Sequence, residues 1–354
     1  MKDQHSEPVT APLAPRETVP HVSTTAAHEL SRAVPAQGLI TIFGGSGFLG
    51  RHMVRALAGA GYRVKAAVRR PDLAGHLQPM GFPGQVQAVQ ANLRYPQTVA
   101  KAIEGADGVI NLVGLLDQSG KQRFDTVHVD GARAVAAAAA QAGVKAFTQV
   151  SAIGADPASD AQYAKTKAQG EQAILEAFPE AVILRPSIVF GPEDEFFNRF
   201  AAMARFSPAL PLIGGGKTLF QPVYVGDVAE AAHAAMTGQA RAGTIYELGG
   251  PEIFSFRALL ERMLDYIERD RMLVSLPFWL AKLQATLVSP LPNRPITVDQ
   301  VKMLKHDNVV SAAAVAEGRT LAGLGVDDLS SVDMIVPDYM DQYHEKGQYA
   351  RYAG

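Results

Sequence analysis

Residues 38–50, GLITIFGGSGFLG, constrain the fold more than any other stretch of this chain. Leu39, Ile40, Ile42 and Phe43 form a short apolar run, the length of a buried parallel strand. The chain then turns through Gly44, Gly45, Ser46 and Gly47. Phe48, Leu49, Met53, Val54 and Leu57 follow at helical spacing. The glycines fall as G-x-x-G-x-x-G, at Gly44, Gly47 and Gly50. In a strand–turn–helix unit each has its own task. Gly44 permits the tight turn, Gly47 leaves room for a pyrophosphate against the backbone, and Gly50 lets the helix pack close to the sheet. The helix N-terminus then offers free N–H groups and the positive end of its dipole to phosphate. A bare glycine triplet is a weak signal and also fits a flexible surface loop. Between a strand and an amphipathic helix it points to a dinucleotide, held along residues 44–50.

The rest of the first half alternates strand and helix. A strand over 62–68 ends at Arg69-Arg70-Pro71, where an acidic residue would accept from the ribose 2′-hydroxyl of NAD. Two guanidinium groups stand there instead, and arginine suits a 2′-phosphate by charge and by bidentate geometry. NADP(H) is therefore favoured and NAD(H) is the alternative; Asp72, beyond Pro71, is read as pointing away. Strands follow over 86–89, 108–114 and 146–150, with helices over 96–104 and 123–142. Asn92 and Leu93 end the third strand, where adenine would lie. Val113 and Gly114 end the fourth, under the ribose and nicotinamide, and Ser151 ends the fifth. The alternation implies an α/β fold, a Rossmann-type doubly wound parallel sheet with ligands at the carboxyl ends of its strands.

Tyr163 and Lys167 open a helix over 163–178 and share a face at i and i+4. A lysine beside a tyrosine lowers the phenol's pKa, and a nearby serine hydroxyl can hold a carbonyl oxygen. Ser151, Tyr163 and Lys167 are thus candidates for a proton relay in hydride transfer. Alone, Y-x-x-x-K is common and describes an exposed helix face.

The 354 residues are 47% hydrophobic, enough for one large core or two modest ones, and the net charge of −2 gives no reason to expect nucleic acid. With no cysteine, disulfides, iron–sulfur clusters and thiolate metal sites are excluded, and no metal site is expected. Residues 1–37 carry scattered prolines among Ser, Thr, Ala and charges, without an apolar signal core, and read as a disordered extension. No apolar run approaches the roughly 20 residues that span a bilayer, so the chain reads as soluble or peripheral.

Beyond residue 190 the pattern loosens. Phe196, Phe197, Phe200, Met203 and Phe206 repeat at helical spacing, as core against the first domain or as the wall of a substrate pocket. Asp227 is read as the cap of a helix over 228–236. Residues 273–288 gather Leu273, Leu276, Phe278, Trp279, Leu280, Leu283 and Leu287, broken by Lys282 and Gln284 and followed by Pro290, Pro292 and Pro295. That segment is either core or a surface lying on a bilayer or a partner.

The glycine loop, Ser151, Tyr163 and Lys167 together resemble the short-chain dehydrogenase/reductase superfamily. Residues 183–192, ILRPSIVFGP, resemble the strand-six motif of its extended and atypical branches, and 223–228 and 246–251 continue the match. The runs EAFPEAVILRPSIVFGPEDEFFNRFAAMARF and LFQPVYVGDVAEA are similar to the NAD(P)H-binding accessory subunits of respiratory complex I, an atypical branch. The resemblance runs from about residue 38 to the C-terminus, with GPEDEFFN at 191–198 its most specific part. It implies a Rossmann domain over 38–190, with Pro186 and Ile188 also at the cofactor, and a smaller region over 191–354 whose chain interleaves with the first. It implies a bound NADPH that is mainly structural, partners near the quinone-reducing module, and peripheral contact with a membrane. The expected location is the cytoplasmic face of a bacterial inner membrane; soluble cytoplasm, or the matrix side of a mitochondrion, is the alternative. Two departures bear on chemistry. The V-N-V-x-G pattern of the superfamily matches Val127-His128-Val129-Asp130-Gly131, with His128 in place of asparagine, either bonded to water or simply buried. The short Ser151–Tyr163 separation argues against a large nucleotide-sugar substrate. A free NADP(H)-dependent reductase of a small carbonyl compound is the competing function.

Overall fold

The computed structural model describes residues 29–118, 120, 122–289 and 296–345. The first half runs β1 (Leu39–Phe43), α1 (Phe48–Gly59), β2 (Arg63–Val68), β3 (Val86–Gln90), α2 (Pro96–Ile103), β4 (Gly108–Asn111), α3 (Ala132–Gln141), β5 (Ala146–Val150), α4 (Gln162–Ala177) and β6 (Val182–Pro186). The second half runs β7 (Val189–Phe190), α5 (Phe197–Phe206), β8 (Ala209–Ile213), β9 (Leu219–Phe220), β10 (Val223–Tyr224), α6 (Val225–Met236), β11 (Ile245–Leu248), β12 (Phe254–Ser255), α7 (Phe256–Tyr266), β13 (Met272–Leu276), α8 (Phe278–Leu287), α9 (Val298–Met303), α10 (Ala312–Ala316) and α11 (Val332–Met340).

Seven strands form one parallel sheet in the order β11-β6-β5-β4-β1-β2-β3. Both faces are covered, so the central strands are continuously apolar: Ile40, Ile42, Val109 and Ile110 are fully buried. On one face Met53, Val54 and Leu57 of α1 pack with Val228, Ala232 and Ala235 of α6. On the other, Val99 and Ile103 of α2 meet Val135, Ala136 and Ala139 of α3 and Ile174 of α4. The strand order reverses between β1 and β4, which opens a crevice above their carboxyl ends.

Past residue 190 the chain returns to the sheet as β11 and covers one of its faces with α6, and it also builds a separate apolar cluster around Phe197, Phe220, Phe256, Leu260 and Val336. Phe196, Phe200 and Met203 pack against it, whereas Phe206 is 86% exposed, so the helical stripe is core except at its last member.

Three expectations change. Of the extension over 1–37, residues 1–28 lie outside the described residues, but 29–37 are tied down. Ser31 N donates to Ala240 O at 2.7 Å, Val34 N donates to Met236 O at 2.8 Å, and the Val34 side chain is buried. The helix expected over 123–142 begins instead as a π-helical turn, Asp125–Gly131, before α3. Asp227 does not cap α6, which starts at Val225; its carboxylate is buried and accepts from Ser330 N at 3.1 Å. Pro290, Pro292 and Pro295 lie outside the described residues.

Candidate functional site

The glycine loop joins β1 to α1 at the crevice. Gly44 has φ +83°, a backbone that side-chain-bearing residues rarely adopt, and its N–H donates to Ala67 O at 3.0 Å. A Cβ on Gly50 would lie 2.3 Å from Gly44 O and 2.6 Å from Gly45 Cα, so only glycine lets α1 approach the turn this closely. Gly47 is the N-cap of α1 and supplies no side chain, and the first turn, with Phe48, Leu49 and Gly50, holds no acid. The first amides of α1 are thus left for an anion. Gly45 backs onto Ala66 of β2, and Ser46 is half-buried at the tip of the turn.

The other strand ends bring their residues to the same edge. Arg69 and Arg70 follow β2, both exposed. Asp72 does not point away: Arg70 donates to it from Nε at 3.0 Å and from Nη2 at 2.7 Å. That pair pulls the Asp72 carboxyl below its ordinary range, and of the two arginines Arg69 is the one without a side-chain partner among the described residues. Asn92 is turned to its own loop, where its Oδ1 accepts from Arg94 N at 3.2 Å, and Leu93 leans on Gly131. Val113 lies against Gly44, its N–H donating to Asn111 Oδ1 at 3.2 Å. Pro186 is buried at the end of β6 beside β11, and half-buried Ile188 donates its N–H to Asn308 Oδ1 at 3.0 Å.

Ser151, Tyr163 and Lys167 converge where β5 meets α4. Ser151 is buried and its Oγ has no hydrogen-bond partner among the described residues. Lys167 Nζ lies 5.8 Å from the centre of the Tyr163 ring and 3.4 Å from Val150 O. A Cβ on Gly114 would come within 3.2 Å of that ammonium, so Gly114 leaves it room. Burial drives the lysine down to about 8, held up in part by the negative Glu171 one turn on. Burial also drives the half-buried Tyr163 phenol up to about 12, against the expectation that the lysine lowers it. The phenol therefore keeps its proton at neutral pH.

His128 is buried in the π-helical turn and bridges two parts of the site. Its Nε2 accepts from Leu115 N at 2.9 Å, which leaves the proton on Nδ1, 3.0 Å from Thr166 Oγ1. Thr166 in turn donates to Gln162 O at 2.8 Å. The ring stacks on Phe124 at 5.2 Å and meets Tyr163 edge-on at 5.5 Å. Burial first, and then the Lys167 charge, push it down to about 3, so it is neutral and structural.

The donor set fits a nicotinamide dinucleotide: a cradle that a Cβ would fill, uncapped amides behind it, and an orphaned hydroxyl at the far end. Residues 40–249 match the NAD dependent epimerase/dehydratase family. The chain belongs to that family. The chain is 37% identical over 287 residues to "NADH dehydrogenase [ubiquinone] 1 alpha subcomplex subunit 9, mitochondrial" of Arabidopsis thaliana, covering 78% of this chain and 71% of the relative. It is also 39% identical over 182 residues to a ceramide reductase of Caulobacter vibrioides, covering 51% of this chain and 56% of that one. The dTDP-glucose 4,6-dehydratase structure of Streptomyces venezuelae, with NAD bound, shares the fold at 19% identity and TM-score 0.65, covering 86% of this chain and 96% of that one.

Three residues that frame this crevice carry no signal in the sequence. Glu193, in the GPEDEFFN run, accepts from Arg51 Nη1 at 2.9 Å and lies 3.1 Å from His52 Nε2, tying that run to α1. Asp299 and Asn308 reach the site from the far end of the chain. No local pattern marks a contact that spans more than 100 residues of sequence.

Proposed function

We propose that this chain is an NADPH-binding accessory subunit of respiratory complex I, whose cofactor mainly holds the fold and whose role is assembly or stability of the quinone-reducing module. The observation that carries the reading is the 37% identity, over 78% of the chain, to a protein named as a subunit of NADH dehydrogenase. A bound dinucleotide supplies hydride chemistry; around it, the residues of this chain have separable tasks. Gly44 to Gly50 and the first amides of α1 take the pyrophosphate. Arg69 takes a 2′-phosphate, and Arg70, shared with Asp72, adds charge. Asn92 and Leu93 flank the adenine. Val113, Gly114, Pro186 and Ile188 would shape the nicotinamide end, beside Ser151, Tyr163 and Lys167.

Solubilisation in mild detergent, then a native gel and mass spectrometry of co-migrating proteins, tests the reading. Subunits of complex I are expected; wild-type protein free of them overturns it. Cofactor choice is tested by binding. NADPH is expected to bind more tightly than NADH, and Arg69→Ala to narrow the gap by about 1–3 kcal/mol, the range for a charge-assisted hydrogen bond. Equal affinities in the native protein overturn the preference.

A second reading, a free NADP(H)-dependent reductase of a carbonyl compound, is supported by the intact Ser151–Tyr163–Lys167 set and by the likeness to a ceramide reductase over half the chain. Sustained NADPH oxidation with a panel of aldehydes and ketones, abolished by Tyr163→Phe, would establish it.

A further inference from the structure

The helix that carries Tyr163 and Lys167 has no cap of its own: its N-cap is Ala161, without a side chain that can accept. The cap comes from the far end of the chain. Asp299 Oδ1 accepts from Gln162 N at 2.7 Å and Asp299 Oδ2 accepts from Tyr163 N at 2.7 Å. One carboxylate thus satisfies the first two amides of α4 and sets its negative charge at the positive end of the helix dipole. Beside it, Lys302 Nζ donates to Asp160 O at 2.5 Å.

The element that carries Asp299 is itself fixed. Thr297 and Gln300 close a capping box at the start of α9. Further along, Asn308 clamps the other rim of the site: its Oδ1 accepts from Ser187 Oγ at 2.7 Å and Ile188 N at 3.0 Å, and its Nδ2 donates to Ile153 O at 3.3 Å. Residues 297–308 therefore lie as a strap across the site, joined to the end of β6 and to the start of α4. The outer side of the strap packs on α8, where Val301 is buried with Ala281 and Ala285.

We propose that Asp299 is a positioning residue for Tyr163, and that through α9 the placement of Tyr163 depends on the packing of α8. Asp299 touches no reacting atom; it fixes the amide of the residue that does. This rests on the reading that NADPH lies against Tyr163.

The full chain is compared as wild type, Asp299→Ala, Asp299→Asn and Val301→Ala. Amide exchange at residues 162 and 163, NADPH affinity and the emission of bound NADPH are read on each. Loss of a helix cap is expected to speed exchange at those two amides by roughly fivefold or more in Asp299→Ala, with partial rescue in Asp299→Asn. NADPH affinity is expected to fall about threefold or more in Asp299→Ala, with a shift in emission. Val301→Ala, which leaves the carboxylate in place, is expected to move the same readouts in the same direction. Exchange at 162 and 163 unchanged in Asp299→Ala overturns the cap. Faster exchange with unaltered NADPH affinity and emission overturns positioning, and a Val301→Ala protein like wild type overturns the link to α8. Wild type that binds no NADPH contradicts the proposed function instead, and the exchange arm still decides the cap.

Discussion

At the scale of single residues, the site is built from groups held in unfavourable states. Lys167 is 8% exposed and its pKa is depressed from 10.5 to about 8, chiefly by burial. A lysine depressed on folding binds its proton less well in the native state than in the unfolded chain. The charged ammonium therefore costs stability below about pH 8, and the cost fades as pH rises towards 10.5. Ser151 Oγ is likewise buried without a partner among the described residues. Such groups are tolerable where a ligand completes them. Lys167→Met is expected to raise the urea stability of the cofactor-free protein at pH 7 by about 1–3 kcal/mol while weakening NADPH binding. Lower stability together with unchanged affinity would mean that the lysine serves the fold and not the cofactor.

At the scale of elements, the sheet and its glycine turn were legible because their signals are local. An apolar run, a turn that needs φ above zero and a helical stripe lie within residues 39–57. Tyr163 and Lys167 were legible for the same reason, at i and i+4. The expectations that failed depend on neighbours that spacing does not name. Asp72 folds back onto Arg70, Asp227 is taken by Ser330, and the helix over 123–142 is π-helical around His128. Asp299 was invisible because it stands 136 positions from the amide it caps. The π-helical turn gives a prediction of its own. His128 is neutral in the fold at about 3, against 6.5 for the ordinary group, so the unfolded chain binds its proton first as pH falls. Its contribution is fully present above pH 6.5 and declines below it, by at most about 1.4 kcal/mol per pH unit. Asp227, raised to about 6 mainly by burial, acts oppositely: it holds its proton in the fold and adds stability as pH falls from 6 towards 3.8. In urea unfolding from pH 6.5 to 4.5, His128→Asn is expected to start less stable than wild type and to close the gap as pH falls. Parallel curves would show that His128 does not titrate between the two states.

At the scale of the whole molecule, the question is which surface faces a partner. No helix among the described residues is long and apolar enough to cross a membrane. The segment over 273–288 resolves into β13, paired in parallel with β8, and α8. Its inner face is small: Ala281 and Ala285 are buried. Its outer face is large: Trp279 is 68% exposed, Leu283 49% and Leu287 71%, one turn apart along the helix. Three bulky apolar side chains on one exposed face fit the proposed docking surface better than they fit a core. Since these side chains do not fill the core, replacing them need not unfold the domain. Trp279→Glu combined with Leu283→Glu is expected to leave a folded protein that binds NADPH as wild type does. The same variant is expected to lose co-sedimentation with membranes and co-migration with complex I subunits. An unfolded, cofactor-free variant would return both side chains to the core. A folded variant that still associates would move the docking surface elsewhere on the molecule.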